Sequence, residues 1–386
     1  MKRHLFRIIK LLCLILAIGL TVGVLQEYVF CHADHNRQRL KGFYEEEPQS
    51  LDIVYLGASE VYSDIAPGYA YAHSGVTGYL FATQANSILN YKSQLKNVLS
   101  RQDPALIVIE LNGALYGDEK EVHKEANLRN YADNVPLDFT KLEWISRNAR
   151  ENFAEYLFPF IKYHGVWGDD SDPDRHKYLK TIIGDQLRGY NYLKGILNET
   201  AMFRNTQRSM NESLPKSVRS KKPLTPAEEH GLRDLLQFCK DNDLHNVVFA
   251  RFPHIVVRRT FSRFERSNTV GDIVAEYGYD YLNFERDFAL TGLDEEKDFY
   301  NLDHLNVYGQ KKFTAFLTDY LTKRYGVTPR EQSAKCRREW DTCADYYDAY
   351  FAYSDSLIKK GERRELSEDC ELIETLNDYL PRHSGG

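Results

Sequence analysis

The chain has 386 residues, 42% hydrophobic and 27% charged, with a formal net charge of −6. That balance excludes wholesale disorder, and the acidic net charge excludes a dedicated nucleic-acid binder, which would carry a basic excess. The length accommodates one large α/β domain with appendages, or two smaller domains.

The N-terminus departs from this average. Residues 1–10 carry Lys2, Arg3, Arg7 and Lys10 and no acid, and residues 11–25 are almost purely apolar, ended by Gln26 and Glu27. Fifteen such residues rise about 22 Å as a helix, short of the ~30 Å hydrocarbon core. Ile8 and Ile9 before the run, and Tyr28, Val29 and Phe30 after it, bring it to spanning length. The basic flank precedes the run, so the positive-inside rule places the rest of the chain outside the cytoplasm. Residues 1–33 therefore read as a single-pass anchor in the cytoplasmic membrane. The alternative is a signal peptide cleaved near Cys31-His32-Ala33, followed by secretion. Either way, the working domain is exported. The six cysteines form no Cys-x-x-Cys and dictate no disulfide framework.

Residues 34–50 read as a polar stalk. Leu51–Leu56 is a short apolar run stopped by Gly57, a buried-strand pattern. Residues 86–100 are helical in character, and Ala105–Leu111 is a second buried strand. The stretch 118–222 is polar, aromatic and rich in Arg and Asn, and reads as an insertion or lid. Thr225-Pro226-Ala227-Glu228 opens a helix with an N-cap, a first-turn Pro and a capping-box Glu. That helix runs to about Asn242 and feeds a strand at 245–252; a helix at about 258–277 precedes a strand at 279–284. A last helix starts near Gln310. Residues 329–386 form a charged helical extension bearing Trp340, Tyr346, Tyr347 and Tyr350. Strand and helix in alternation predict an α/β fold over 51–328, with a mostly parallel sheet between helical layers.

Two segments carry chemistry. Gly57-Ala58-Ser59 follows the first strand, which puts Ser59 at the carboxyl edge of the sheet, where open α/β sheets bind ligands. Ser59 is a candidate nucleophile; the plainer reading is a serine capping the next helix. Near the other end, Asp303-His304-Leu305-Asn306-x-x-Gly309 precedes the last helix. A serine nucleophile needs a base, and the base needs a partner that fixes its tautomer and stabilises its charged form. His304 suits the base, although a lone loop histidine commonly serves only as a cap or surface group.

Together these elements resemble the SGNH (GDSL-like) hydrolase superfamily. The likeness is closer to the exported, membrane-anchored SGNH-like proteins of Gram-positive bacteria, similar to teichoic-acid D-alanylation and alginate O-acetylation proteins. It runs from about Leu51 to Tyr325 and includes Gly57-Ala58-Ser59, Glu110-Leu111-Asn112-Gly113, Tyr163-His164-x-x-Trp167 and the Asp303–Gly309 motif. It implies a three-layer α/β/α domain with Ser59 as nucleophile and His304 as general base. The implied reaction, without metal or cofactor, is acyl transfer or ester hydrolysis on an envelope polysaccharide or teichoic-acid-type polymer. An integral membrane protein would deliver the acyl group.

The chain departs from that pattern at two places. The superfamily's acid sits three residues before the histidine, and here that residue is Asn301; Asp303 is adjacent and Asp298 is six before. Asp303 is the first choice for orienting His304, and Asn301 the second, since an amide oxygen can orient an imidazole without adding charge. The second oxyanion element, normally centred on glycine, reads Phe81-Ala82-Thr83-Gln84-Ala85-Asn86. The Ala85 N–H, with an amide from Asn86 or Asn112, would complete the hole. His164 and Trp167 are candidates for holding a sugar, or else an aromatic pair packing the insertion. Arg251, with Arg258 and Arg259, would face an anionic polymer, or else be part of a solvated helix start. The rival function is a catalytically degenerate binding or scaffold subunit of a wall-polymer complex.

Overall fold

The computed structural model describes residues 2–28, 35–163, 191–368 and 370–380. The strands are β1 (Ile53–Gly57), β2 (Gly78–Ala82), β3 (Leu106–Glu110), β4 (Leu197–Glu199), β5 (Val247–Arg251), β6 (Tyr281–Asn283) and β7 (Glu365–Ser367). Five of them form one parallel sheet in the order β2-β1-β3-β5-β6, and β4 pairs antiparallel with β7. Every residue of β1, β2, β3 and β5 is buried, as near-continuous apolar runs must be when helices cover both faces. The fold is α/β, as the alternation of elements predicts. β2 is a strand that the sequence reading does not anticipate.

Two compact units emerge, Met1–Asp34 with Leu137–Gly189, and His35–Pro136 with Tyr190–Gly386. The first contains α1 (Lys2–Tyr28), whose segment Arg3–Leu25 is long and apolar enough to cross a membrane and is not buried. Helices Phe139–Asn148, Phe153–Leu157 and Pro159–Tyr163 belong to the same unit, where Trp144 is buried against Tyr156 at 5.3 Å between ring centroids.

The second unit holds the sheet. Of the expected stalk, residues 35–50 are packed rather than extended; they carry α2 (His35–Glu45), with Asn36, Arg37, Arg39, Leu40 and Phe43 buried. Arg39 explains how a polar segment is buried. Its Nε donates to Gly195 O at 2.7 Å, and its guanidinium lies 3.8 Å from the Tyr62 ring centroid. The insertion is also smaller than 118–222. Helices Glu119–Val122 and Glu125–Ala132 belong with the sheet, and residues from Asn191 onward return to it. The return is fastened by β4 on β7 and by the buried Lys194–Glu46 pair at 2.6 Å.

Three short helices complete the scaffold of the site: α3 (Ser59–Asp64), α4 (Pro67–Ser74) and α5 (Ile88–Arg101). The helix Ala334–Lys360 runs so close to α4 that a Cβ on Gly68 would lie 2.6 Å from Cys343 O. Trp340, Tyr346, Tyr347 and Tyr350 are buried, so the aromatic wealth of the tail is core packing. The helix Pro226–Asp241 has the expected capping box between Thr225 and Glu228.

Candidate active site

The sheet register brings the chemistry to one edge. Gly57 pairs with Ala82, Leu56 with Ile109, and Glu110 with Ala250, so β1, β2, β3 and β5 end at one level. Ser59 lies two residues past β1, and Asn112 two past β3. The turn at Gly57 excludes any side chain, since a Cβ there would lie 2.7 Å from Val61 Cγ2 and 2.9 Å from Glu110 Cβ. Ser59 opens α3 and is partly exposed, while Glu60 to Asp64 behind it are buried.

The second half of the site is the loop before the helix Val307–Tyr325. Asn306 caps that helix by accepting from the Tyr308 and Gly309 N–H groups, and its amide donates to Lys297 O at 2.7 Å. Gly309 is required because a Cβ would strike Asp298 O. Leu305 N–H donates to Asp64 Oδ1 at 2.9 Å, which ties this loop to the helix that begins at Ser59. The Tyr300 ring stacks on the His304 imidazole, 5.3 Å between centroids and 6° from parallel.

Folding joins the two halves across 245 residues. His304 Nε2 lies 2.8 Å from Ser59 Oγ, and His304 Nδ1 lies 3.0 Å from Asn301 Oδ1. The roles follow from the backbone. Asp303 N–H donates to that same Asn301 oxygen at 2.8 Å, so the atom facing His304 is an acceptor. His304 Nδ1 therefore carries the hydrogen, and Nε2 presents its lone pair to the Ser59 hydroxyl. Burial holds the imidazole below the usual histidine range, opposed first by the charge of Glu60 and then by that of Asp303. A neutral imidazole beside a serine hydroxyl is what a general base requires.

Asp303 does not orient His304. Its carboxylate pairs with Arg263 at 3.0 Å; burial opposes its charge, but Arg263, His254 and His304 outweigh burial and hold it well below the usual carboxylate range. Asn301 makes the orienting contact. Asp298 is engaged elsewhere, with Lys312 at 2.7 Å.

Beneath Ser59 lies a buried cluster that sequence reasoning missed. Arg251 is fully buried, with Nε 2.9 Å from Glu285 Oε1, and NH1 2.8 Å from Asn112 Oδ1 and 3.3 Å from Glu110 Oε1. It cannot face a polymer, which corrects the substrate-binding expectation for this residue. Glu60 Oε1 lies 3.2 Å from His254 Nε2, and His254 Nδ1 lies 2.8 Å from Phe252 O. Burial opposes ionisation of Glu60, but His254, then His304 and Arg251, outweigh it and keep this carboxyl ionised. Burial and the neighbouring Glu60 charge push the Glu110 carboxyl up to about 8, against Arg251 and the Asn112 N–H, which favour its charged form. A Glu directly after Ser59, and a His three residues past a strand, were the only sequence traces of the cluster.

The oxyanion candidates separate. The Asn86 amide is consumed, since Nδ2 donates to Gly57 O at 2.9 Å and to Gln94 Oε1 at 2.7 Å while Oδ1 accepts from Asn90. Its role is to brace the Gly57 turn. Asn112 differs, because Arg251 holds its Oδ1 and its Nδ2 meets no acceptor among the described residues. Ala85 adopts φ 46°, the left-handed conformation that favours glycine, and its N–H also meets no acceptor among the described residues. His164 and Trp167 lie outside the described residues. Among the described residues, no group of three or more His, Cys, Asp or Glu side chains could hold a metal ion.

No protein-family model matches the chain, and no curated protein is significantly similar to it.

Proposed function

We propose that the protein is an extracytoplasmic, membrane-anchored serine acyltransferase or esterase acting on a cell-envelope polysaccharide or teichoic-acid-type polymer. The observation that carries the chemistry is Ser59 Oγ at 2.8 Å from His304 Nε2, with Asn301 fixing the imidazole tautomer. Ser59 attacks the acyl carbonyl as its proton passes to His304. The oxyanion of the tetrahedral intermediate is held by Asn112 Nδ2 with the Ala85 or Ser59 N–H. Collapse expels the leaving group with the proton from His304 and leaves an acyl-serine. A polymer hydroxyl or water, deprotonated by His304, then takes the acyl group.

The envelope polymer as substrate, and a membrane protein as acyl carrier, rest on the resemblance of the motifs to exported SGNH-like proteins. The apolar helix α1 supports an anchored location. One observation favours the rival scaffold reading: Asn301 occupies the place of the usual carboxylate and brings no charge to His304. Treating the full chain in detergent with a serine-reactive phosphonate and an activated acetyl ester, beside Ser59→Ala and His304→Ala, decides between them. Labelling and turnover lost in both variants support the enzyme. No labelling and no turnover above the variants rejects the esterase reading in favour of the scaffold.

A further inference from the structure

We propose that Glu60 supplies the negative charge that the Asn301–His304 pair lacks, so that the carboxylate of this site acts from the nucleophile's side of the imidazole. The inference rests on the acyl-transfer reading and deepens it. In a Ser-His-Asp site, the carboxylate both orients the imidazole and stabilises the imidazolium formed when serine gives up its proton. Here the two tasks are divided. Asn301 orients, through a neutral amide oxygen fixed by the Asp303 N–H.

The charge comes from elsewhere. Glu60 Oε2 lies 3.4 Å from Ser59 Oγ, which itself lies 2.8 Å from His304 Nε2, so one serine oxygen separates the carboxylate from the nitrogen that takes the proton. Glu60 is 1% exposed, and in such surroundings charges interact far more strongly than across water. Two groups hold it as an anion in place: His254, which donates to Oε1, and Arg251, whose NH1 is 3.7 Å from the same oxygen. The sole hydrogen of Ser59 goes to His304, the closer acceptor, so Glu60 does not compete as the base. In the reacting step the Ser59 O–H bond breaks, the proton joins the Nε2 lone pair, and Ser59 Oγ bonds to the acyl carbon. The imidazolium so created faces the Glu60 anion.

His304 is also faced by Asp303 from its own loop, Arg263 from the helix Phe261–Glu276, and His254 from the segment after β5. Asp303 is already paired with Arg263, and both Arg263 and His254 oppose a charged imidazole. Among the described residues facing His304, Glu60 differs from Asp303 in that its ion pairs, with His254 and Arg251, are buried rather than shared with solvent.

The test uses the full chain in detergent with Glu60→Gln, Asn301→Asp and the double variant. Glu60→Gln keeps an acceptor for His254, and circular dichroism and melting confirm its fold. The expected result is a fall in kcat of about tenfold or more with little change in KM, and recovery of most of that loss in Glu60→Gln/Asn301→Asp. The imidazole of His304, followed by NMR in chain labelled with 13C-histidine, is expected to titrate about one pH unit lower in Glu60→Gln. That readout needs no turnover, so it stands even where Ser59 proves unreactive and the acyl-transfer reading fails. An unchanged His304 titration in folded Glu60→Gln overturns the proposal, as does a kcat loss that Asn301→Asp does not recover.

Discussion

Asp303 and Arg263 lie 3.0 Å apart, and this pairing turns the carboxylate next to His304 away from the imidazole it would otherwise orient. Both partners are about one-third exposed, so the bond is worth at most about 1 kcal/mol. Asp303→Ala is therefore expected to change kcat/KM by less than about fivefold. Asn301→Ala frees the imidazole to adopt the wrong tautomer and is expected to cost about 10²–10⁴ in kcat. Asn301→Asp adds an anion that favours the imidazolium, so the limb of the pH–rate profile set by His304 moves to higher pH. Steady-state kinetics on an activated ester across pH 5–9 read all three; an Asp303→Ala loss as large as that of Asn301→Ala would reverse the assignment.

Asn112 and Asn86 are both asparagines at strand ends, yet their substitutions are expected to fail differently. Asn112→Ala removes the donor proposed for the oxyanion, and on that reading is expected to lower kcat by about 10²–10³ with a near-native melting temperature. Asn86→Ala removes a saturated buried amide and is expected to cost about 1–3 kcal/mol of stability, with the folded fraction keeping whatever turnover the parent shows. Thermal melts run beside burst-phase kinetics separate the two outcomes.

Arg251 is expected to behave as a structural cation. Arg251→Met leaves Glu285 without its guanidinium partner and should destabilise the fold by about 3–5 kcal/mol. Binding of an anionic polymer to the folded fraction should not weaken. Denaturant unfolding and polymer co-sedimentation test this, and weakened polymer binding at unchanged stability would return Arg251 to the substrate surface.

Glu110 imposes a pH dependence on stability. Its carboxyl is held neutral in the fold, so the unfolded chain releases a proton that the folded chain keeps. Stability from this group is full below about 4.5 and is lost as pH rises towards about 8. Glu110→Gln keeps an acceptor for the Asn112 N–H and removes the titration. The fall in melting temperature between pH 5 and pH 8 should be smaller in the variant than in the parent; an equal fall assigns the pH dependence to other groups.

The exported location is open to a direct test. The full chain is expected to remain in the membrane pellet after alkaline extraction, and its C-terminal domain to be digested by protease added outside intact cells. Release into the medium would favour the cleaved-leader reading instead.

Wherever a pattern is local, it was legible in the chain. The apolar runs at β1, β3 and β5, the capping box at Thr225 and Glu228, and the apolar N-terminal helix all depend on residues a few positions apart. β2 was not read because Tyr79-Leu80-Phe81 is a short run with no flanking alternation, and only its place at the sheet edge identifies it. The polar helix α2 escaped for the opposite reason: its burial depends on partners such as Gly195 O, 156 residues away.

The site divides in the same way. Sequence alone singled out Ser59 and His304, because a nucleophile turn and a helix-capping Asn-x-x-Gly motif are short and chemically constrained. It ranked Asp303 ahead of Asn301, and the contacts reverse that order, because Asp303 pairs with Arg263, forty residues away in the chain. Nor could it place Arg251, whose charge reads as solvent-facing until four elements close around it. Hydrogen-bond partners and charge neighbours are properties of three-dimensional neighbourhood, and only the packed sheet edge made Glu60, Arg251 and His254 a single cluster beneath the serine.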